Sequence, residues 1–269
     1  MEGDMQGGGV KIHAPEDFAG MRAAGQLAAR TLDMITPHVR EGVTTGELDR
    51  LIHDFMIANG SVPATLGYRG YPASSCISIN HVVCHGIPGD RALKDGDILN
   101  IDVTVILDGW YGDTSRMYTV GNVSLKAQKL IEATYQSLML SIDAVRPGAT
   151  LGDIGHVIQT YAQARRFSVV RDFCGHGIGR TFHAAPNVLH YGRPGEGLVL
   201  RPGMFFTIEP MLNIGRPDVK ILDDGWTAVT RDRSLSAQFE HMLGVTEDGC
   251  EVFTLSPAGF TCPPYPAAL

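Results

Sequence analysis

Residues 98–120 read ILNIDVTVILDGWYGDTSRMYTV. β-Branched and aromatic residues dominate both arms, and Asp108-Gly109 between them is a strong two-residue signal for an antiparallel hairpin. A turn centred there sets Asp102 opposite Ser115 and Asp113 opposite Thr104. Side chains two apart on a strand share a face, so Asp102 and Asp113 become diagonal neighbours, roughly 7–8 Å apart at the backbone. An atom held between them is within reach of both carboxylates, while Ile101, Val103 and Val105 point the other way, into a core.

Helical signals lie on either side of this hairpin. Apolar Phe18, Met21, Leu27 and Leu32 recur at roughly helical spacing after Pro15, and Thr44 with Glu47 makes a capping-box pattern before a segment that stops at Asn59-Gly60. After Gly121 the order repeats: SLKAQKLIEATYQSLMLSIDAV and TLGDIGHVIQTYAQARR read as helices, followed by strand-like MFFTIEPMLNI, GWTAVT, FEHMLGVT and CEVFTLS. Two helices followed by strands, twice over, is the pattern of a duplicated unit. Short echoes agree. HGIPGD at His85 matches HGIGRT at His176, and LKDGDILNID at 93–102 aligns at constant offset with LRPGMFFTIE at 200–209.

A duplicated unit folded about a pseudo-two-fold axis presents equivalent residues to one central site. Each half offers a histidine (His85, His176), an acid late in an apolar strand (Asp102, Glu209) and a further acid (Asp113, Glu240). Any one of these acids alone is more simply a turn cap or a surface residue. Four carboxylates converging without compensation repel one another and are driven toward protonation. Two divalent cations remove that repulsion, and an oxygen-rich set with one or two histidines suits Mn²⁺, Fe²⁺, Co²⁺ or Zn²⁺. The residues alone leave open which histidine is the ligand.

The rest of the composition narrows the class. The 269 residues are 44% hydrophobic and 19% charged, with no apolar run long enough to cross a bilayer and no export leader, so no membrane partner is expected. Five cysteines, widely spaced and without a C-x-x-C pair, argue for reduced thiols in a cytoplasmic protein. The net charge is −7 with no Lys/Arg block, which leaves nucleic acid without an electrostatic footprint. G-x-S-x-G, Walker and H-E-x-x-H patterns are missing, and Cys84 beside His85 or Cys174 near His176 is weak grounds for a thiol nucleophile. Residues 1–9 are expected to be a flexible tail. Residues 10–269 are expected to form one catalytic domain, with halves at about 10–120 and 121–255.

The segments SINHVVCHGIP, NIDVTVILDGWYGDTSRMY, GHGIGRTFH, FTIEPML and RSLSAQFEHMLGVTEDG, in that order, closely resemble the type I methionine aminopeptidases, and the likeness runs from about Val10 to Leu255. The resemblance implies an α+β, pseudo-two-fold duplicated "pita-bread" fold with an antiparallel sheet covered by helices. It also implies a dinuclear hydrolase that removes the N-terminal methionine before a small second residue, a metal-activated water attacking the first peptide carbonyl. The family's ligand pattern falls on Asp102, Asp113, His176, Glu209 and Glu240, with Asp113 and Glu240 bridging two divalent ions (Co, Mn, Fe or Zn). Asp102 completes one site, and His176 with Glu209 the other.

By the same resemblance His85 and His183 contact substrate around the scissile amide, and Glu209 shuttles a proton. Tyr68, Tyr71, Cys76, Phe182 and Trp226 line the methionine pocket, with Thr65 at its rim where many bacterial relatives have cysteine. A monomer acting on nascent polypeptide N-termini is implied, with ribosome contact through Arg216 and Lys220 on an expected loop. Proline-specific peptidases of the same fold carry a large extra N-terminal domain, and type II methionine enzymes a long helical insertion between His176 and Glu209. Neither is expected here. A metal-free binding protein is the rival from another class, disfavoured because all five ligand positions hold competent residues.

Overall fold

The computed structural model describes residues 9–265, so all but the last residue of the tail expected at 1–9 lies outside the described residues. The chain opens with α1 (Asp17–Ile35) and α2 (Thr45–Ala58). These are followed by β1 (Val62–Pro63), β2 (Cys76–Ile79), β3 (Val82–Cys84), β4 (Ile98–Leu107) and β5 (Trp110–Thr119). Two more helices, α3 (Leu125–Asp143) and α4 (Leu151–Ala164), then precede β6 (Ser168–Val169), β7 (Gly175–Gly177), β8 (Ala184–Val188), β9 (Phe205–Ile208) and β10 (Met211–Asn213). The last strands are β11 (Val219–Ile221), β12 (Ala228–Thr230), β13 (Ser236–Gln238), β14 (His241–Val245) and β15 (Cys250–Val252).

The β4–β5 register is the one expected. Asp102 pairs with Ser115 and Thr104 with Asp113, and β4 also pairs antiparallel with β1 and β2. A second sheet runs β15-β14-β9-β7-β8, and two three-stranded sheets, β13-β10-β6 and β11-β12-β3, complete the described strands. All the strand pairs are antiparallel.

Helices and sheets meet in two main cores. Met21, Ala24, Leu27, Ala28, Leu32 and Ile35 recur along one face of α1 and pack with Leu48 and Ile52 of α2 against Ile101, Val103 and Val105. Burying each large aliphatic side chain of this kind stabilises the fold by roughly 1.5–3 kcal/mol. The contact is close because Gly112 has no side chain: a Cβ there would lie 2.2 Å from the Ala24 carbonyl oxygen. The second core joins Leu130, Leu138, Ile154 and Ile158 of α3 and α4 to Phe206, Ile208, Leu212 and Leu243.

The capping box read at Thr44 and Glu47 is formed, and a second one that the sequence reading missed opens α4. There the Asp153 amide donates to Thr150 Oγ1 at 3.3 Å, and the Thr150 amide donates to Asp153 Oδ2 at 2.7 Å. A Thr150→Ala variant is expected to lose about 1 kcal/mol of stability, read as a lower urea midpoint at unchanged slope; an unmoved midpoint would mean that the cap adds nothing to α4.

Three expectations need correction. The run 204–214 is two strands rather than one, because Pro210 has no N–H to give a ladder, and Glu209 sits in the break between β9 and β10. Glu240 likewise falls between β13 and β14 rather than inside a strand. Lys220 lies on β11, paired opposite Val229, and not on a loop; both it and Arg216 are exposed. Among the described residues no helix is long and apolar enough to cross a membrane.

Candidate metal centre

Asp102 and Asp113 arrive together on the β4–β5 hairpin. Thr104, opposite Asp113, donates its hydroxyl to Asp113 Oδ1 at 2.8 Å, which orients that carboxylate and leaves Oδ2 free. Glu240 comes from the far half of the chain but is pinned to the same hairpin. Its amide donates to the Ser115 carbonyl at 3.1 Å, and the Thr114 hydroxyl donates to the Glu240 carbonyl at 2.7 Å. Asn100 reinforces this seam by donating to Ser115 Oγ at 3.0 Å and to the Gln238 carbonyl at 2.9 Å.

His176 is a buried residue of β7. Its strand packs closely: a Cβ at Gly177 would stand 2.1 Å from the Ala185 carbonyl oxygen. The ring's Nδ1 donates to the Gly177 carbonyl at 3.1 Å, which sets the tautomer and leaves Nε2 with its lone pair outward, as metal-binding histidines are commonly held. Nε2 lies 3.4 Å from Asp113 Oδ2 and 3.7 Å from Glu209 Oε1, contacts too long to be good hydrogen bonds. Thr207 joins His176 and Glu209: its hydroxyl accepts from the His176 amide at 3.0 Å and donates to Glu209 Oε1 at 3.0 Å.

Asp113, His176 and Glu240 thus offer one ligand atom each within 4.8 Å of one another, all three residues buried. Glu209 adjoins this group through His176. Asp102 is outside that tightest set but is electrostatically tied to it. Burial first, then the charges of Asp113 and Glu209, push the Asp102 carboxyl well up. Glu240 is raised by burial and by Asp113, Glu209 and Asp102. Burial lifts Glu209 to about 7, with His176 opposing and Asp113 reinforcing. For His176, burial works downward, but the neighbouring carboxylates of Asp113 and Glu209 raise it on balance. These are the signs of a site short of positive charge. Buried carboxylate oxygens with one free imidazole nitrogen fit a hard or borderline divalent cation.

The other expected site residues flank these ligands. The His183 ring lies 4.2 Å from that of His176, tilted by 45°, and stacks 5.3 Å from Tyr68, and Phe182 lies 5.0 Å from Tyr68. His183 is exposed, yet desolvation of its ring, followed by the neighbouring His176, His85 and Arg69, lowers its pKa. On the other flank Tyr71 packs edge-on against Trp226 at 5.1 Å, in one cluster with Cys76. Cys76 pairs directly opposite Asp102, so this apolar wall begins beside a carboxylate. His85 follows β3 in a left-handed conformation (φ 56°), its ring 6.2 Å from Trp226, its Nδ1 buried without a protein partner and its pKa lowered to about 4 by burial. Thr65 is buried, and its hydroxyl likewise lacks a partner.

The thiol alternative loses ground. Burial raises the Cys84 thiol well above its ordinary range and that of Cys174 to about 11, so neither supplies a ready thiolate. Thr207, His190 and Gln238, which hold Glu209 and His176, were not singled out from the sequence. Thr207 was discoverable, since it lies two residues before Glu209, and Thr104 was already placed opposite Asp113.

Residues 19–247 match the model of metallopeptidase family M24. The chain is 61% identical over 257 residues to a methionine aminopeptidase of Rickettsia prowazekii, covering 95% of this chain and 99% of that one. It is 55% identical over 248 residues to the methionine aminopeptidase of Escherichia coli strain K12, covering 91% and 94%. The solved R. prowazekii structure superposes with a TM-score of 0.91 over 92% of this chain and 100% of its own. A Thermotoga maritima methionine aminopeptidase, 38% identical, gives 0.90 over 91% and 99%.

Proposed function

The chain belongs to metallopeptidase family M24, among its methionine aminopeptidases, and from that premise we propose that it uses two divalent ions at this centre to release the first methionine of proteins and peptides with a small second residue. Asp102, Asp113, His176, Glu209 and Glu240 would hold the ions, with Asp113 and Glu240 shared between them, Asp102 serving one and His176 with Glu209 the other. The observation that carries this reading is the buried Asp113–His176–Glu240 group, with two more carboxylates beside it and no lysine or arginine among the five. Bound there, the ions supply Lewis acidity: they lower the pKa of a water and polarise the carbonyl it attacks.

The chain's own residues do the rest. Tyr68, Tyr71, Cys76, Phe182 and Trp226 take up the methionine side chain in an apolar, polarizable setting that suits a thioether. The carboxylates favour the free α-amine of the substrate, so an N-formylated terminus is refused. His183, held neutral, donates its ring N–H to the oxygen on which negative charge develops. His85, whose buried Nδ1 has no protein partner, contacts the scissile amide. Glu209 takes a proton from the attacking water and passes it to the leaving amine.

The test is release of methionine from Met-Ala-Ser by metal-stripped protein with Co²⁺, Mn²⁺ or Fe²⁺ restored, beside an Xaa-Pro peptide. Cleavage of the first substrate alone, and only with metal, is expected. Failure of folded protein with every metal would sink the reading.

A further inference from the structure

Glu209 stands where the β-ladder stops. β9 pairs with β14 as far as Ile208, and Pro210 then has no N–H, so the Glu209 amide is the last donor before the chain turns into β10. It donates to a side chain: His190 Nε2 accepts it at 3.2 Å. His190 lies just beyond β8 and is fully buried (0% exposed). An imidazole that accepts at Nε2 is neutral and carries its proton on Nδ1. That Nδ1 is buried and has no protein partner. An apolar residue would fill this space without leaving a buried N–H unmet, which is costly, so packing alone does not account for a histidine.

The other end of Glu209 is held separately. Oε1 accepts from Thr207 and Oε2 from Gln238 Nε2 at 3.3 Å. We propose that His190 is a positioning residue: by accepting the Glu209 amide it fixes the turn at Glu209-Pro210, and so aims the Glu209 carboxylate at the ion it shares with His176. This rests on the reading of Glu209 as a ligand.

The test is titration of metal-stripped protein with Co²⁺, followed by calorimetry and by the visible absorption of the bound ion. The variants are His190→Gln, His190→Asn and His190→Leu. The glutamine carbonyl reaches where Nε2 lies, whereas the asparagine carbonyl falls short of the amide. His190→Gln is expected to bind within about threefold of the parent at both steps, while His190→Asn and His190→Leu lose roughly 10–100-fold at one step, with an altered spectrum.

Equal binding by parent, Asn and Leu proteins overturns the proposal. So does a Gln protein as weak as the Asn protein, since ring volume rather than the acceptor would then matter. If His190→Leu does not fold, the Gln and Asn pair decides by the same criteria. A parent that binds no Co²⁺ removes Glu209 as a ligand, and this proposal with it, an outcome distinct from variants that match a metal-binding parent.

Discussion

An Asp113→Asn variant cleaves Met-Ala-Ser on the order of a thousandfold more slowly than the parent at saturating Co²⁺, with little change in fold. The two side chains have the same shape, and the asparagine Oδ1 still accepts the Thr104 hydroxyl that holds Asp113 at 2.8 Å. The difference lies at the other atom. An NH₂ group replaces Oδ2, the oxygen 3.4 Å from His176 Nε2, and an amide nitrogen has hydrogens where a cation needs a lone pair. Because Asp113 is read as bridging both ions, one substitution weakens both. The measurements are kcat/KM, Co²⁺ stoichiometry and Tm. Activity within tenfold of the parent in folded protein would remove Asp113 from the centre.

The part of this site that was legible beforehand is the part made by neighbouring residues. Asp102 and Asp113 lie on a hairpin whose turn and alternation are local, so their register followed from the chain itself. Glu209 and Glu240 were recognised as residues but misplaced as strand positions, because what interrupts each strand differs. Pro210 ends the ladder beside Glu209, and that signal was in plain view. Glu240 is drawn out of line by Ser115 and Thr114 of the other half, a pairing no window of sequence contains. The glycines around His176 are what allows β7 to approach neighbouring backbone, with a Gly175 Cβ only 2.3 Å from the Thr207 carbonyl oxygen. His190 and Gln238 left no local trace, since each acts only once the chain has brought it to Glu209.

Metal-stripped protein is expected to lose stability as pH rises from 6.5 to 8. Folding raises the pKa of Asp102, Glu209 and Glu240, chiefly by burial, and on balance that of His176. A group whose pKa is raised by folding contributes stability fully present below its unfolded value, and loses it as pH climbs through the folded value. For Glu209 that value is about 7, and for Asp102 and Glu240 it is well above the ordinary carboxylate range.

The buried histidines run the other way. His85 and His241 are lowered to about 4 and His190 to about 3, mainly by burial. Their stability is complete above the unfolded histidine value of about 6.5 and fades below it. Above 6.5, and below the thiol range near 8.5, the carboxylates and His176 therefore govern the slope. Each unit of displacement is worth about 1.4 kcal/mol, and each kcal/mol moves the Tm of a chain this long by roughly 2–4 °C, so a fall of about 5–10 °C is expected.

On the proposed reading, divalent ions take the place of those protons. At a hundred times its Kd, one ion adds about 2.7 kcal/mol, and it binds better as the carboxylates ionise. The Tm of Mn²⁺-loaded protein should accordingly stay level or rise over the same window, and the gap between loaded and stripped protein should widen. Scanning calorimetry of both forms at pH 6.5, 7.25 and 8 decides it. A stripped protein whose Tm holds or climbs would mean that the acids do not repel one another in the folded chain, and the charge argument for two ions would lose its basis.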